Sequence, residues 1–211
     1  MDVSKKKIVK LMDFINVVEE EVVEGMEAEE EEEEGIAYDE HIWTSPKNAI
    51  KMTNAISDAL CSVDSINAEQ YKKNTTAYVG EIEKIDAEIQ NVVDNGRVKT
   101  ILVADKFPFR YFADEFGLSY KAAFSGCSTE SEASASTIAY LIDTVKKQNI
   151  STIFYIELSN KNVAKAISEQ TGTKMLELHS CHNVAKADFD KGVTYVSLMK
   201  QNAVNLKTGL E

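Results

Sequence analysis

The chain has 211 residues, enough for one large domain, and its 44% hydrophobic and 27% charged residues are the balance of an ordinary globular α/β protein. Its net charge of −12 is local, because residues 19–40 hold thirteen Asp or Glu and no Lys, Arg or His, and the remainder is nearly neutral. The lack of a basic patch argues against nucleic acid as a partner, and no apolar run approaches the ~20 residues that span a bilayer.

The opening stretch, MDVSKKKIVKLMDFINVVEEE, does not have the pattern of a signal peptide, since Lys10 and Asp13 interrupt a short apolar run. Residues 7–18 read as an apolar strand or short helix. The glutamate-rich segment 19–40 is expected to be a disordered loop, because crowded like charges repel and no core can form there. It leads into YDEHIWTSP, where His41 stands between acids and the only tryptophan, Trp43. Ser45 is a good N-cap and Pro46 a good first helical residue. With Ala49, Ile50, Ala55, Ile56, Ala59 and Leu60 as an apolar stripe, they predict a helix. After a break at SVDSIN a longer helix is predicted over 68–93, stopped by Asn95-Gly96.

Beyond residue 96 the pattern changes. Strands are predicted at 99–105, 119–124, 151–158 and 174–178. Helices are predicted within FPFRYFADEFGL, closed by Gly117, and over 134–147, 162–171 and 191–206. The alternation implies an α/β fold: a parallel four-stranded sheet flanked by helices on both faces, preceded by a long helix. Four segments follow, 1–18, 19–40, 41–96 and 97–211.

Ligands of an open parallel sheet bind at the carboxyl ends of its strands. Here those exits carry Asp105-Lys106, Ser125-Gly126-Cys127, Glu157 and His179-Ser180-Cys181-His182. All three histidines are therefore in loops. Imidazole, carboxylate and thiolate gathered at one edge form a donor set suited to zinc or another transition metal. The plainer reading makes them loop and packing residues: HSCH lacks zinc-finger spacing, and three widely spaced cysteines indicate neither a disulfide framework nor a CxxC site. There is no GxSxG, P-loop or HExxH. The alternatives to metal capture are a small metal-dependent hydrolase or lyase, with His179 and His182 as ligands and Glu157 as base, and a metal-free interaction module.

The blocks DEHIWTSPKNAIKM, ADKFPFRYFADEFGLSYKAAFSGCSTESEAS, IFYIELSN, LELHSCHNV and GVTYVSLMKQNAVNLKTGL resemble the solute-binding proteins of zinc and manganese ABC transporters, of the Gram-positive, clostridial type. The resemblance runs from about residue 36 to the end. It implies two α/β lobes joined by a long backbone helix, matched here by 68–93. It implies one metal ion in the cleft between lobes, zinc first and manganese as the alternative. It further implies transfer to a membrane permease, a lipoprotein tether at the extracellular face or a periplasmic location, and no enzymatic activity or direct membrane insertion. His41 of the HxW motif and His179 after the last strand are the implied ligands. Lys106 stands where the family places a third ligand, and protonated lysine cannot ligate, so Glu157 and Glu130, ahead of Asp105, are the substitutes, with His182 also in the candidate set. By the same resemblance residues 1–18 look like a remnant of the first lobe. The chain is then expected to be a C-terminal portion with half a cleft and micromolar or weaker zinc affinity. The glutamates are expected to draw cations in by long-range field.

Overall fold

The structure, a computed structural model, describes residues 6–27, 37–126, 128 and 132–211. Its centre is one parallel sheet of β1 (Thr100–Lys106), β2 (Ser119–Phe124), β3 (Thr152–Tyr155) and β4 (Lys174–Glu177), in the order β2-β1-β3-β4. Two antiparallel helices come first, α1 (Pro46–Val63) and α2 (Ala68–Asn95). They are followed by α3 (Arg110–Phe116), α4 (Ala135–Gln148), α5 (Asn162–Thr171), α6 (Lys186–Asp190) and α7 (Tyr195–Leu210). This is the predicted parallel α/β sheet with helices on both faces, preceded by a long helix.

The alternation along β1 explains the layering. Ile101 and Val103 face one side and join α2, α3 and α7 through Ile82, Ile85, Ile89, Phe112 and Leu206, while Leu102 and Ala104 face the other side and meet Leu141 of α4 and Ile167 of α5. Burying each such side chain stabilises the fold by about 1.5–3 kcal/mol. The ends obey local chemistry. Ser45 accepts from the Asn48 amide and Pro46 opens α1. Gly117 takes the left-handed conformation, φ 66°, that closes α3.

Several boundaries differ from expectation. Residues 7–18 form neither strand nor α-helix but a 3-10 turn, Leu11–Phe14, and Ile15 packs with Ile42 and Tyr111 in a small satellite core. The last helix starts at Tyr195 rather than Lys191, because Thr194 and Ser197 form a reciprocal cap, and Lys186–Asp190 makes a separate short helix. β3 ends at Tyr155, and the chain then turns through Leu158 at φ 59°.

The acidic segment also needs correction, since residues 19–27 and 37–40 are built into the fold. Glu19 bridges Tyr38, and Glu27 bridges Phe124 of β2. The charges have partners: Glu21 pairs with Arg110 at 2.9 Å and accepts from the Tyr120 hydroxyl at 2.9 Å. The Glu27 carboxylate accepts from the Ser134 amide and the Thr137 hydroxyl, at 2.7 and 2.6 Å, at the start of α4. Paired glutamates can be ordered where bare ones repel. The run 29–34 lies outside the described residues.

Candidate functional site

The loop before α1 meets the loop after β4 at the carboxyl end of the sheet. His41 is buried, with 3% of its surface exposed, and Asp39 beside it is equally so. The Asp39 carboxylate lies 3.0 Å from His41 Nδ1 and also accepts the His41 amide at 2.7 Å. A carboxylate on Nδ1 holds the proton there and leaves Nε2 as the free lone pair, an arrangement that orients metal-binding histidines. Asp39 is itself pinned, since its carbonyl accepts from the Tyr111 hydroxyl at 2.8 Å. The donor atoms of Asp39, Glu40 and His41 lie within 4.8 Å of one another.

His182 comes from the other loop. Its ring centre is 6.0 Å from that of His41 and 5.6 Å from that of Trp43, and it is solvent-exposed. Two imidazoles sharing one zinc at ~2.1 Å and a tetrahedral angle have ring centres roughly 5.3 Å apart, a separation close to that of this pair.

Glu157 shapes the loop that carries His182. Its carboxylate accepts from the Ser180 amide and hydroxyl at 2.8 and 2.5 Å, and from the amides of His182 and Asn183 at 3.2 and 3.3 Å. Burial raises the carboxyl's pKa, but the Ser180 bonds and the nearby His179 outweigh it and leave the group below its ordinary range. Glu157 is thus ionised and already engaged by four donors.

His179 is placed differently. It is buried, and its Nδ1 accepts the Cys181 amide at 2.9 Å and lies 3.6 Å from Glu157. A neutral imidazole accepting at Nδ1 carries its proton on Nε2, which leaves neither nitrogen open. Its backbone is clamped by Asn202 of α7, which accepts from the His179 amide and donates to its carbonyl, each at 2.8 Å. No ring contact joins His179 to His41 among the described residues. Burial first, then the Glu157 charge, push the Cys181 thiol up, so it stays protonated at neutral pH. Asp105 bonds Ser159. Glu130 and Cys127 lie outside the described residues.

A cavity of about 320 Å³ opens between these loops, lined among others by Glu40, His41, Lys106, Glu157, His182 and Asn183. Gly126 forms part of its wall, where a Cβ would stand 3.0 Å from the Phe107 carbonyl and 3.2 Å from His41 Cε1, so a larger residue would press on the imidazole. Sequence reasoning missed Asp39 as the partner of His41. The signal available was the acid two residues before the histidine, which the reading absorbed into the acidic run.

Comparisons with known proteins place the chain in a family and match its fold. The family model described as zinc-uptake complex component A, periplasmic, matches residues 2–209. The high-affinity zinc uptake system protein ZnuA of Bacillus subtilis is 30% identical over 194 residues, 88% of this chain and 60% of the relative. The zinc-binding lipoprotein AdcA of Streptococcus pneumoniae is 30% identical over 208 residues, 98% of this chain and 41% of that protein. The chain therefore spans less than two thirds of the length of these curated relatives. Among solved structures, the metal-dependent lipoprotein YcdH of Bacillus subtilis superposes with a TM-score of 0.73 at 29% identity, covering 82% of this chain and 65% of that one. The Zn(II)-bound ZnuA-like domain of Streptococcus pneumoniae AdcA gives 0.71 at 29%, covering 82% and 64%.

Proposed function

The chain belongs to the zinc-uptake complex component A family, and from that premise we propose that it captures a transition-metal ion for delivery to the permease of an ABC transporter. The observation that carries this reading is the approach of the His41 and His182 rings to 6.0 Å over one cavity, with Asp39 orienting the first. His41 Nε2 and His182 are the two ring ligands, and Glu40, whose carboxylate lies within 4.8 Å of the His41 donor atom, is a carboxylate of the same wall. His179 and Glu157 act one step removed, as anchors of the loop that carries His182. Zinc is the primary cargo, since two imidazoles with few oxygens suit it better than manganese. The relatives' names describe zinc uptake, zinc binding and a lipoprotein, which supports a place outside the cytoplasmic membrane and a role in capture rather than catalysis. Among the described residues no helix is long and apolar enough to cross a membrane.

Calorimetric titration of the chain with zinc, and separately with manganese, tests the proposal. The expected result is one zinc per chain, bound more tightly than manganese. A chain that binds neither ion would refute it.

A further inference from the structure

The turn that presents His41 rests on a group of buried polar side chains that metal capture itself does not use. Tyr195 of α7 donates its hydroxyl to the Trp43 carbonyl at 3.0 Å. Two residues on, the Ser45 hydroxyl donates to the Glu115 carboxylate of α3 and accepts from the Asn48 amide at 3.1 Å. Glu115 also accepts from the Lys47 amide at 3.2 Å, and its side chain is only 5% exposed. The start of α1, four residues past His41, is thus fixed by one carboxyl group from another helix.

A second acid faces it. The Asp86 carboxyl of α2 lies within hydrogen-bonding reach of Glu115, and its Oδ1 is buried with no hydrogen-bond partner among the described residues. A buried acceptor without a donor is unfavourable, and two adjoining buried carboxylates repel. One proton resolves both problems: the Glu115 carboxyl donates it to Asp86 Oδ1 and still accepts from Ser45 and Lys47. The other groups around the pair do not replace it. The Lys47 ammonium, 3.7 Å from Glu115, is mostly exposed and screened by solvent. Tyr195, Tyr78 and Cys181 are pushed up, chiefly by burial, and are uncharged at neutral pH. On α3 itself, Arg110 and Asp114 pair with each other.

We infer that Asp86 and Glu115 share one proton and together position the turn that carries His41, so that losing this proton loosens the metal site. Once it leaves, two carboxylates oppose each other beside the Ser45 cap, and the start of α1 shifts together with the turn before it. Burial first, then Asp86, push the Glu115 carboxyl up to about 7, so the proton is held below neutral pH and lost above it. Neither acid touches the metal; both are positioning residues. This inference deepens the metal-capture reading and rests on it.

Zinc calorimetry at about pH 6 and about pH 8 on the unaltered chain, Glu115→Gln and Asp86→Asn tests it. Each variant keeps a donor and an acceptor between the two positions but has no shared proton to lose, and either one alone decides the outcome. All three chains are expected to bind zinc alike at the lower pH. At the higher pH the unaltered chain should bind about fivefold or more weakly than the variants, the low end of ordinary coupling between two sites. By reciprocity, titrations near neutral pH in two buffers of different ionisation heat should show zinc drawing protons into the unaltered chain relative to the variants. If the variants differ from the unaltered chain by the same factor at both pH values, or not at all, or if proton uptake is equal in all three, the inference is overturned while metal capture stands. If the unaltered chain binds no zinc at either pH, both are overturned.

Discussion

The indole Nε1 of Trp43 donates to the carbonyl of Ser180 at 2.9 Å, joining two loops 137 residues apart in the chain. The two candidate ligand rings flank that bond, His41 at 5.4 Å and His182 at 5.6 Å from the indole. Trp43 is the only tryptophan, so its emission is a reporter of the site. Zinc titration is expected to shift or quench the fluorescence with the same midpoint that calorimetry gives. Trp43→Phe should cost about 1 kcal/mol through the lost hydrogen bond and loosen zinc binding, because the His182 loop is then held by fewer contacts. Emission that ignores saturating zinc would place the metal elsewhere.

The two histidines of the HSCH loop should separate by assay. Structural zinc sites are worth ~10–16 kcal/mol over four ligands, so one ligand carries about 3 kcal/mol, on the order of a hundredfold in affinity. His182→Ala is expected to show that loss with little change in melting temperature, since the side chain is exposed. His179→Ala is expected to do the reverse, lowering stability by about 1–3 kcal/mol as the Cys181 amide loses its acceptor and weakening zinc binding less. The opposite pattern in paired melts and titrations would make His179 the ligand.

Below the site, Glu115 of α3 bonds the Ser45 hydroxyl and the Lys47 amide at the start of α1. Burial first, then the neighbouring Asp86 of α2, push its carboxyl up to about 7. A carboxyl whose folded pKa is raised binds its proton more tightly in the folded chain. Its contribution is therefore full below the unfolded value of 4.5 and lost as pH rises to about 7, on the order of 3 kcal/mol. Glu115→Gln keeps the acceptor and cannot ionise. Chemical denaturation should find it more stable than the unaltered chain above pH 7 and similar near pH 4.5. A difference that does not vary with pH would mean that Glu115 titrates normally.

The acidic segment should divide into an anchored part and a part that acts through charge. Glu27→Ala removes the acceptor of the Ser134 amide and the Thr137 hydroxyl and is expected to cost about 1–2 kcal/mol, the worth of a helix cap. Deleting residues 29–34 should leave the melting temperature nearly unchanged and slow zinc association at low salt, with the difference vanishing as salt screens the field. Stopped-flow traces that are identical at low salt would remove the steering role.

The sheet and its helices were legible because their signals are local: an apolar run such as ILVA, a Ser-Pro start, a glycine stop. The strand exits followed from the parallel order, so Lys106, Glu157 and the HSCH loop could be assembled from the sequence, while His41, which precedes a helix, joined them only through the family resemblance. What the sequence could not show was which histidine of that loop turns towards His41. That choice depends on Glu157 gathering the amides of Ser180, His182 and Asn183, and on Asn202 clamping His179 from a distant helix. The order of residues 19–27 was hidden for a similar reason. Its glutamates look repulsive in a row, and their partners Arg110, Tyr120, Ser134 and Thr137 lie about a hundred residues away.

The cover that α7 provides also bears on how the protein is made. The carbonyl of Leu210 accepts from the amides of Arg97 and Val98 at the entry to β1, and Gly209 lies so close to Phe154 that a Cβ would stand 2.5 Å from its ring. α2 and α3 cover part of this face, but the part under α7 stays open until that helix arrives, and the contacts that close it span more than half the chain. Loop closure of that length is slow. The sheet therefore completes its packing only with the helix furthest along the chain from β1, and a chain lacking α7 keeps apolar surface exposed.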